Sequence, residues 1–191
     1  MTFIRRSFFV IILAATFVFV ADHRTFVTTT SPTKLATSLV SSSSVPVIKL
    51  VAYPLERVVD GDTILILDSG KKEYVRMVGI NAPESVDPRK PVECFGKEAS
   101  AHLKDLLAGQ TGVNLEVDPS QGTRDKYGRL LAYVFRADGL DLGKQMIVDG
   151  YAYEYTYNLP YKYQAEYKTA QSLARATGRG LWKNGGCASK K

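Results

Sequence analysis

The sequence predicts an α+β fold that is mainly β: five short strands closing a small Greek-key barrel, with three helices around it. Three observations lead there. Runs of alternating apolar residues cluster before residue 80 and again between residues 113 and 139. One helical pattern separates the two clusters, and two more follow them. No fixed-period repeat runs along the chain, which excludes a solenoid.

The elements follow in order. "VIKLVAYPLERVV" reads as a first strand, with Pro54 marking an edge or a bulge because proline cannot donate to a ladder. "TILIL" is a second strand, "DSGKK" a turn and "EYVRMVGI" a third strand, together an antiparallel meander. "FGKEASAHLKDLLAG" is a helix with Ala99, Leu103, Leu106 and Leu107 along one face and Gly109 as its stop. "VNLEVD" and "LLAYVFRADG" are the last two strands. "LDLGKQMIVDG" is a short helix ending at Gly150, and a longer one runs from Tyr161 to Ala176, stopped by Gly178. A barrel of the OB type accommodates this count and order.

At 191 residues the chain has room for one ordinary domain and a tail. The formal charge is +6. Residues 1–46 hold four bases against Asp22, so half of that excess lies outside the predicted fold. The remainder is mildly basic, which is compatible with a polyanionic partner and does not by itself demand one.

The N-terminus reads as an address. "MTFIRRSFFVIILAATFVFVA" has a basic head and an apolar core from Phe8 to Ala21. Residues 1–22 are expected to be a signal peptide or, because the cleavage-site residues fit poorly, an N-terminal membrane anchor. Residues 23–46 are rich in Ser and Thr and read as a flexible linker or the second half of a bipartite organelle-targeting segment. The expected location is therefore secreted or membrane-anchored outside the cytosol, with an organelle as the alternative. Residues 47–186 form the predicted domain, and 187–191 a basic tail. Two cysteines, Cys94 and Cys187, exclude a disulfide scaffold and any CxxC zinc site. They are either one bridge, suited to an oxidising compartment, or two free thiols.

Four clusters carry candidate chemistry. In "DGDT", Asp60-Gly61 has the form of a tight hairpin turn, and Asp62 is one acid more than the turn requires. In "VRMVGINAPES", alternation places Arg76 and Val78 on one face of the third strand and Met77 and Gly79 on the other. An arginine inside an apolar strand must be paired or solvated. Pro83 holds Ala82 extended, so its carbonyl can project, while Asn81 supplies a neutral oxygen and Glu84 follows. "TRDKYGR" brings three cations and a tyrosine into a loop that could wrap a phosphate, with Arg124 read as solvated and Arg129 as opening an apolar strand. "YAYEYTYNLPYKY" supplies rings for base stacking, although several must cover the helix that follows.

In this order and spacing, "DGDT", "RMVGINAPE", "FGKEAS", "DKYGR", "LAYVF" and "GLW" resemble the thermonuclease, or staphylococcal-nuclease-like, family from about Val51 to Trp182. The resemblance implies an OB-fold barrel with three helices and a Ca²⁺-dependent nuclease acting on DNA and RNA with little sequence specificity. It would cut the 5′ P–O bond and leave 3′-phosphates. It implies a metal site of Asp62, Asn81 and the backbone carbonyl of Ala82. Glu84 becomes the general base, and Arg76 and Arg129 the phosphate clamp. Lys126 and Tyr127 become contacts to a terminal phosphate, and Tyr155 and Tyr157 become partners of the nucleotide. On this reading Asp60 turns the hairpin while Asp62 reaches the ion. Asn81 departs from the family, which often has a carboxylate there, so weaker calcium binding is expected because affinity follows ligand charge. Two other classes are weighed: a catalytically silent nucleic-acid or protein-binding module, and a membrane-anchored surface protein that binds anionic ligands.

Overall fold

The computed structural model describes residues 51–89, 91–184 and 186–187. The expected leader and linker, the first four residues of the predicted first strand and most of the basic tail lie outside the described residues. Five strands close a barrel in the order β1-β2-β3-β6-β5: β1 (Val51–Asp60), β2 (Thr63–Asp68), β3 (Lys71–Met77), β5 (Gly112–Glu116) and β6 (Leu130–Phe135). β1, β2 and β3 form the predicted antiparallel meander. β3 then pairs in parallel with β6, β6 antiparallel with β5, and β5 returns to β1 through Val51↔Leu115 to Pro54↔Gly112. Closure leaves the barrel no free edge. The register of β1 against β2 shifts between Leu55 and Arg57, immediately after Pro54.

Inward residues follow the two-residue period. Ile64, Ile66, Val75, Met77, Val113, Leu115, Ala132 and Val134 are buried in the core. Three helices cover the outside: α1 (Gly96–Leu106), α2 (Leu142–Val148) and α3 (Gln164–Ala176). α1 packs on β1, and α2 packs between β6 and α3. Where α2 packs on it, β6 buries three successive residues, Ala132, Tyr133 and Val134, with Tyr133 1% exposed. Its hydroxyl donates to Asp118 Oδ2 at 2.8 Å, and Asp118 also accepts from the backbone of Ser120 and Lys162. Burial would raise the Asp118 carboxyl, but these donors hold it below its ordinary value. One buried acid thus ties the barrel to the chain entering α3.

Three expectations change on this fold. The third strand stops at Met77, and Ile80–Asn81 form a separate two-residue strand, β4, paired with β7 (Tyr153–Glu154). Val78 is therefore buried rather than sharing Arg76's outward face, because the alternation ends where the ladder does. The last helix begins at Gln164, not Tyr161, whose ring is buried with its hydroxyl 3.0 Å from Glu154 Oε1. The cysteine alternative resolves as a bridge: Cys94 and Cys187 are joined, with Cα atoms 5.7 Å apart across 93 positions of sequence. The bridge ties the segment before α1 to the chain beyond the closing 3₁₀ turn, Gly180–Trp182.

Candidate nuclease site

The site starts at the β1–β2 corner. Gly61 lets that corner touch the segment after β4 and helix α1: a Cβ on Gly61 would come within 2.7 Å of Ala82 Cβ and 2.9 Å of Ala99 Cβ. Asp62 follows it, buried at 7% exposure. Its Oδ2 accepts the Ala82 N–H at 2.9 Å and pairs with the Arg76 guanidinium at 3.0 Å. Its Oδ1 accepts the Thr63 hydroxyl at 2.9 Å.

Arg76 is held on all sides. One terminal nitrogen donates to the Met77 and Ile80 carbonyls, each at 2.9 Å. The other reaches Asn81 Oδ1 at 3.1 Å as well as Asp62. The charge that an apolar strand could not carry alone is thus paired and hydrogen-bonded at the strand end. Asp62 and Asn81, nineteen residues apart, meet at one guanidinium nitrogen.

Arg129 comes from the β5–β6 loop. Its Nε and one terminal nitrogen bind Asp125 Oδ2, both at 2.7 Å, and the remaining nitrogen lies 3.4 Å from Thr63 Oγ1. Asp125 Oδ1 accepts the backbone N–H groups of Tyr127 and Arg129, so the whole "DKYGR" turn is built around that acid. Burial opposes ionisation of Asp125, yet Arg129 and these N–H groups keep its carboxyl below the ordinary range. Arg124 pairs with Glu73 and the Gly128 carbonyl, an exposed structural role consistent with its sequence reading.

Glu84 lies on the loop between β4 and α1. Its Oε1 accepts the N–H groups of Val86 at 2.8 Å and Asp87 at 3.0 Å, and its backbone pairs with Glu93. Partial burial would raise this carboxyl, but those donors and the neighbouring Asp60 carboxyl hold it ionised below its usual value. Gly96, at the start of α1, permits the contact, since a Cβ there would meet the Glu84 carbonyl oxygen at 2.6 Å.

Asp60 departs from its expected role. A solvated hairpin corner would be exposed; Asp60 is 7% exposed and ties the corner to Ser85. It accepts from Gly61 N at 2.8 Å and Ser85 Oγ at 2.5 Å. Burial pushes its carboxyl up to about 6 despite these donors, with the negative charge of Asp62 adding to the rise.

Asp60, Asp62, Asn81, Ala82, Glu84, Arg76 and Arg129 all line one cleft of about 430 Å³. A second cleft, about 620 Å³, lies beyond Arg76, Asn81 and Arg129, which border both. It gathers Lys126, Tyr127, Tyr155 and Tyr157. Tyr127 and Tyr157 are 64% and 70% exposed, and the Lys126 ammonium lies 5.0 Å from the Tyr127 ring centre. The β4–β7 ladder sets this tyrosine segment beside Asn81, and Tyr155 N donates to the Gly79 carbonyl. The remaining tyrosines of the segment pack: Tyr151 stacks on His102, Tyr153 meets Trp182 edge-on, and Tyr161 and Tyr163 cluster with Tyr133.

A staphylococcal nuclease homologue model matches residues 74–184. The chain belongs to the staphylococcal nuclease homologue family. It is 40% identical to a thermonuclease of Staphylococcus hyicus over 137 residues, 69% of this chain and 76% of that one. A thermonuclease of Staphylococcus intermedius is 38% identical over 131 residues, with the same shares covered. Endonuclease YncB of Bacillus subtilis (strain 168) is 35% identical over 139 residues, 72% of this chain and 64% of its own length. Asp62 precedes the span matched to the family, and the fold brings it to Ala82 and Arg76 within that span.

Around the two clefts, the sequence pointed to most of the charged and aromatic lining residues and passed over several side chains that support them. Thr63, Ser85, Glu93 and Asp125 carry the supporting hydrogen bonds. Only Asp125 had a readable signal, an acid two residues before Tyr127 and four before Arg129 in a Gly-containing turn.

The donor set suits a hard cation. Among the described residues no three His, Cys, Asp or Glu side chains form a metal cluster; Asp62, Asn81 and Ala82 offer the cleft a carboxylate, an amide oxygen and a backbone carbonyl. All are oxygen donors, the kind calcium takes, with none of the thiolate or imidazole ligands that predominate at zinc. Asp62 Oδ1 is satisfied only by a hydroxyl, which can rotate its proton away and release the lone pair.

Proposed function

We propose that this chain is a calcium-dependent nuclease that hydrolyses phosphodiester bonds of DNA or RNA with little sequence specificity, cleaving the 5′ P–O bond and leaving a 3′-phosphate. The observation that carries this reading is the convergence of two guanidinium groups, the Asp62 carboxylate and an ionised Glu84 on one cleft beside exposed tyrosines. A single-stranded substrate would lie across Arg76 and Arg129, with its leaving nucleoside among Tyr127, Tyr155 and Tyr157 and its next phosphate at Lys126. Stacking on these rings is open to any base, which favours sequence tolerance.

Asp62, Asn81 and the Ala82 carbonyl would hold the calcium, which when bound neutralises phosphoryl charge and polarises water. Glu84 would take a proton from the attacking water, its Oε1 already anchored by two N–H groups so that little reorganisation is needed. The water oxygen bonds to phosphorus as the P–O5′ bond breaks with its electron pair going to O5′, which takes a proton from solvent and leaves as the 5′-hydroxyl. Arg76, fixed by two backbone carbonyls, and Arg129, tethered by Asp125, would stabilise the charge spreading over the phosphoryl oxygens and O5′. The Cys94–Cys187 bridge supports a working location outside the reducing cytosol.

The test is end analysis. Wild-type full-length protein with Ca²⁺ should degrade plasmid and single-stranded DNA to fragments whose 3′ ends a phosphatase can trim. Glu84→Gln should reduce the rate roughly 10²- to 10⁴-fold. Products carrying 5′-phosphates, or a Glu84→Gln variant of undiminished rate, would defeat the proposal.

A further inference from the structure

Two residues that line the first cleft, Tyr74 and Val86, have no part in the chemistry just described. Tyr74 stands two residues before Arg76 on β3, so both side chains project from the same outward face of the barrel. Its ring is 43% exposed and makes no hydrogen bond or ring contact among the described residues. Val86, 53% exposed, lines the same cleft from the loop after β4, its backbone N–H fixed by Glu84 Oε1. An open aromatic ring and an open aliphatic side chain thus line one slot, which Arg76, Asn81 and Arg129 connect to the tyrosine-lined cleft.

We infer that Tyr74 and Val86 form a second nucleoside subsite that takes the base on the 5′ side of the scissile phosphate, the nucleoside that departs carrying the 3′-phosphate. The inference rests on the nuclease reading for its polarity and adds the other half of the substrate track. Continuity with the phosphate clamp selects the occupant: Arg76 and Arg129 border both clefts, so a strand whose phosphate lies between them can send one nucleoside into each. Every base has a π-face, so stacking on Tyr74 adds affinity without sequence preference. Binding on both sides of the cleaved bond also suits internal cleavage over trimming from an end.

A cycle between Tyr74 and the base tests it in the full-length protein. The substrates are a dinucleotide with a 3′-terminal phosphate and its analogue lacking the base on the 5′ residue, each assayed for kcat/KM with Ca²⁺ and for Kd with chelator. Wild-type protein should prefer the intact dinucleotide by about five- to a hundredfold, the range expected of one stacked base. Tyr74→Ala should bring that ratio close to one, and Tyr74→Phe, which keeps the ring, should preserve it. A ratio that is near one in the wild type, or that survives Tyr74→Ala, overturns the subsite. If neither dinucleotide is cleaved while the Kd ratio behaves as described, the nuclease reading fails and the subsite stands.

Discussion

Replacing both Cys94 and Cys187 with serine removes a crosslink between residues 93 positions apart. In the chain-entropy treatment, a loop of that length restricts the unfolded ensemble by about 4.6 kcal/mol at 25 °C. Cys94 is exposed and Cys187 half-buried, so the serine hydroxyls can be hydrated and little other cost arises. Single domains are stable by only about 5–15 kcal/mol, so the variant should sit near the margin of folding. For a domain of this size the loss corresponds to a fall in Tm of roughly 15 °C. Equilibrium denaturation in guanidinium, compared between oxidised wild type and the double serine variant, measures it. A difference below about 1 kcal/mol, with both proteins unfolding in two states, would refute the loop-entropy reasoning. The same experiment bears on the site, because Cys94 directly precedes Phe95 and Gly96, on which the Glu84 loop rests.

Other outcomes follow from the same geometry. Asn81→Asp adds a negative ligand beside Arg76 and should tighten calcium binding by about tenfold in calorimetry; unchanged affinity would contradict the role given to position 81. Asp60 keeps its proton to about 6 in the folded protein against 3.8 unfolded, so the native state binds more protons between those values and its stability falls as pH rises through them. Asp60→Asn, which cannot ionise, should therefore gain on wild type from pH 4 to pH 7, by on the order of 3 kcal/mol in metal-free denaturation curves. A gap that stays constant with pH would contradict this. Gly61→Ala forces a methyl against Ala82 and Ala99 and should cost roughly 1–3 kcal/mol while lowering nuclease activity, read by thermal unfolding and initial rates. Full stability and activity would show that the corner is looser than described.

How much of this was legible in the sequence depended on whether a feature is periodic or a matter of distance. Strands and helices announced themselves by period, and Arg76 near the end of β3 and Arg129 just before β6 stood where the apolar pattern made a charge conspicuous. The two-residue strands β4 and β7 have no period to detect. Asp-Gly reads alike whether the turn is solvated or buried; burial of Asp60 is decided by Ser85, twenty-five residues later. Two cysteines 93 positions apart hold no local sign that they meet. Composition could not sort the tyrosines either. Tyr155 and Tyr157 are open because β7 ends at Glu154, whereas Tyr161 and Tyr163 are drawn inward by the approach to α3. Tyr74 was passed over because a tyrosine in a strand is ordinary until its neighbours leave it exposed.

The central claim is that one carboxylate, meeting an amide and a guanidinium at a barrel rim, sets the cation requirement of the whole reaction. A calcium titration of the cleavage rate on single-stranded DNA, wild type against Asp62→Asn, tests it most directly. The account predicts a saturable calcium dependence for wild type, no cleavage in chelator, and for the variant a midpoint at least tenfold higher in calcium. Superimposable curves, or cleavage that persists in chelator, would contradict it.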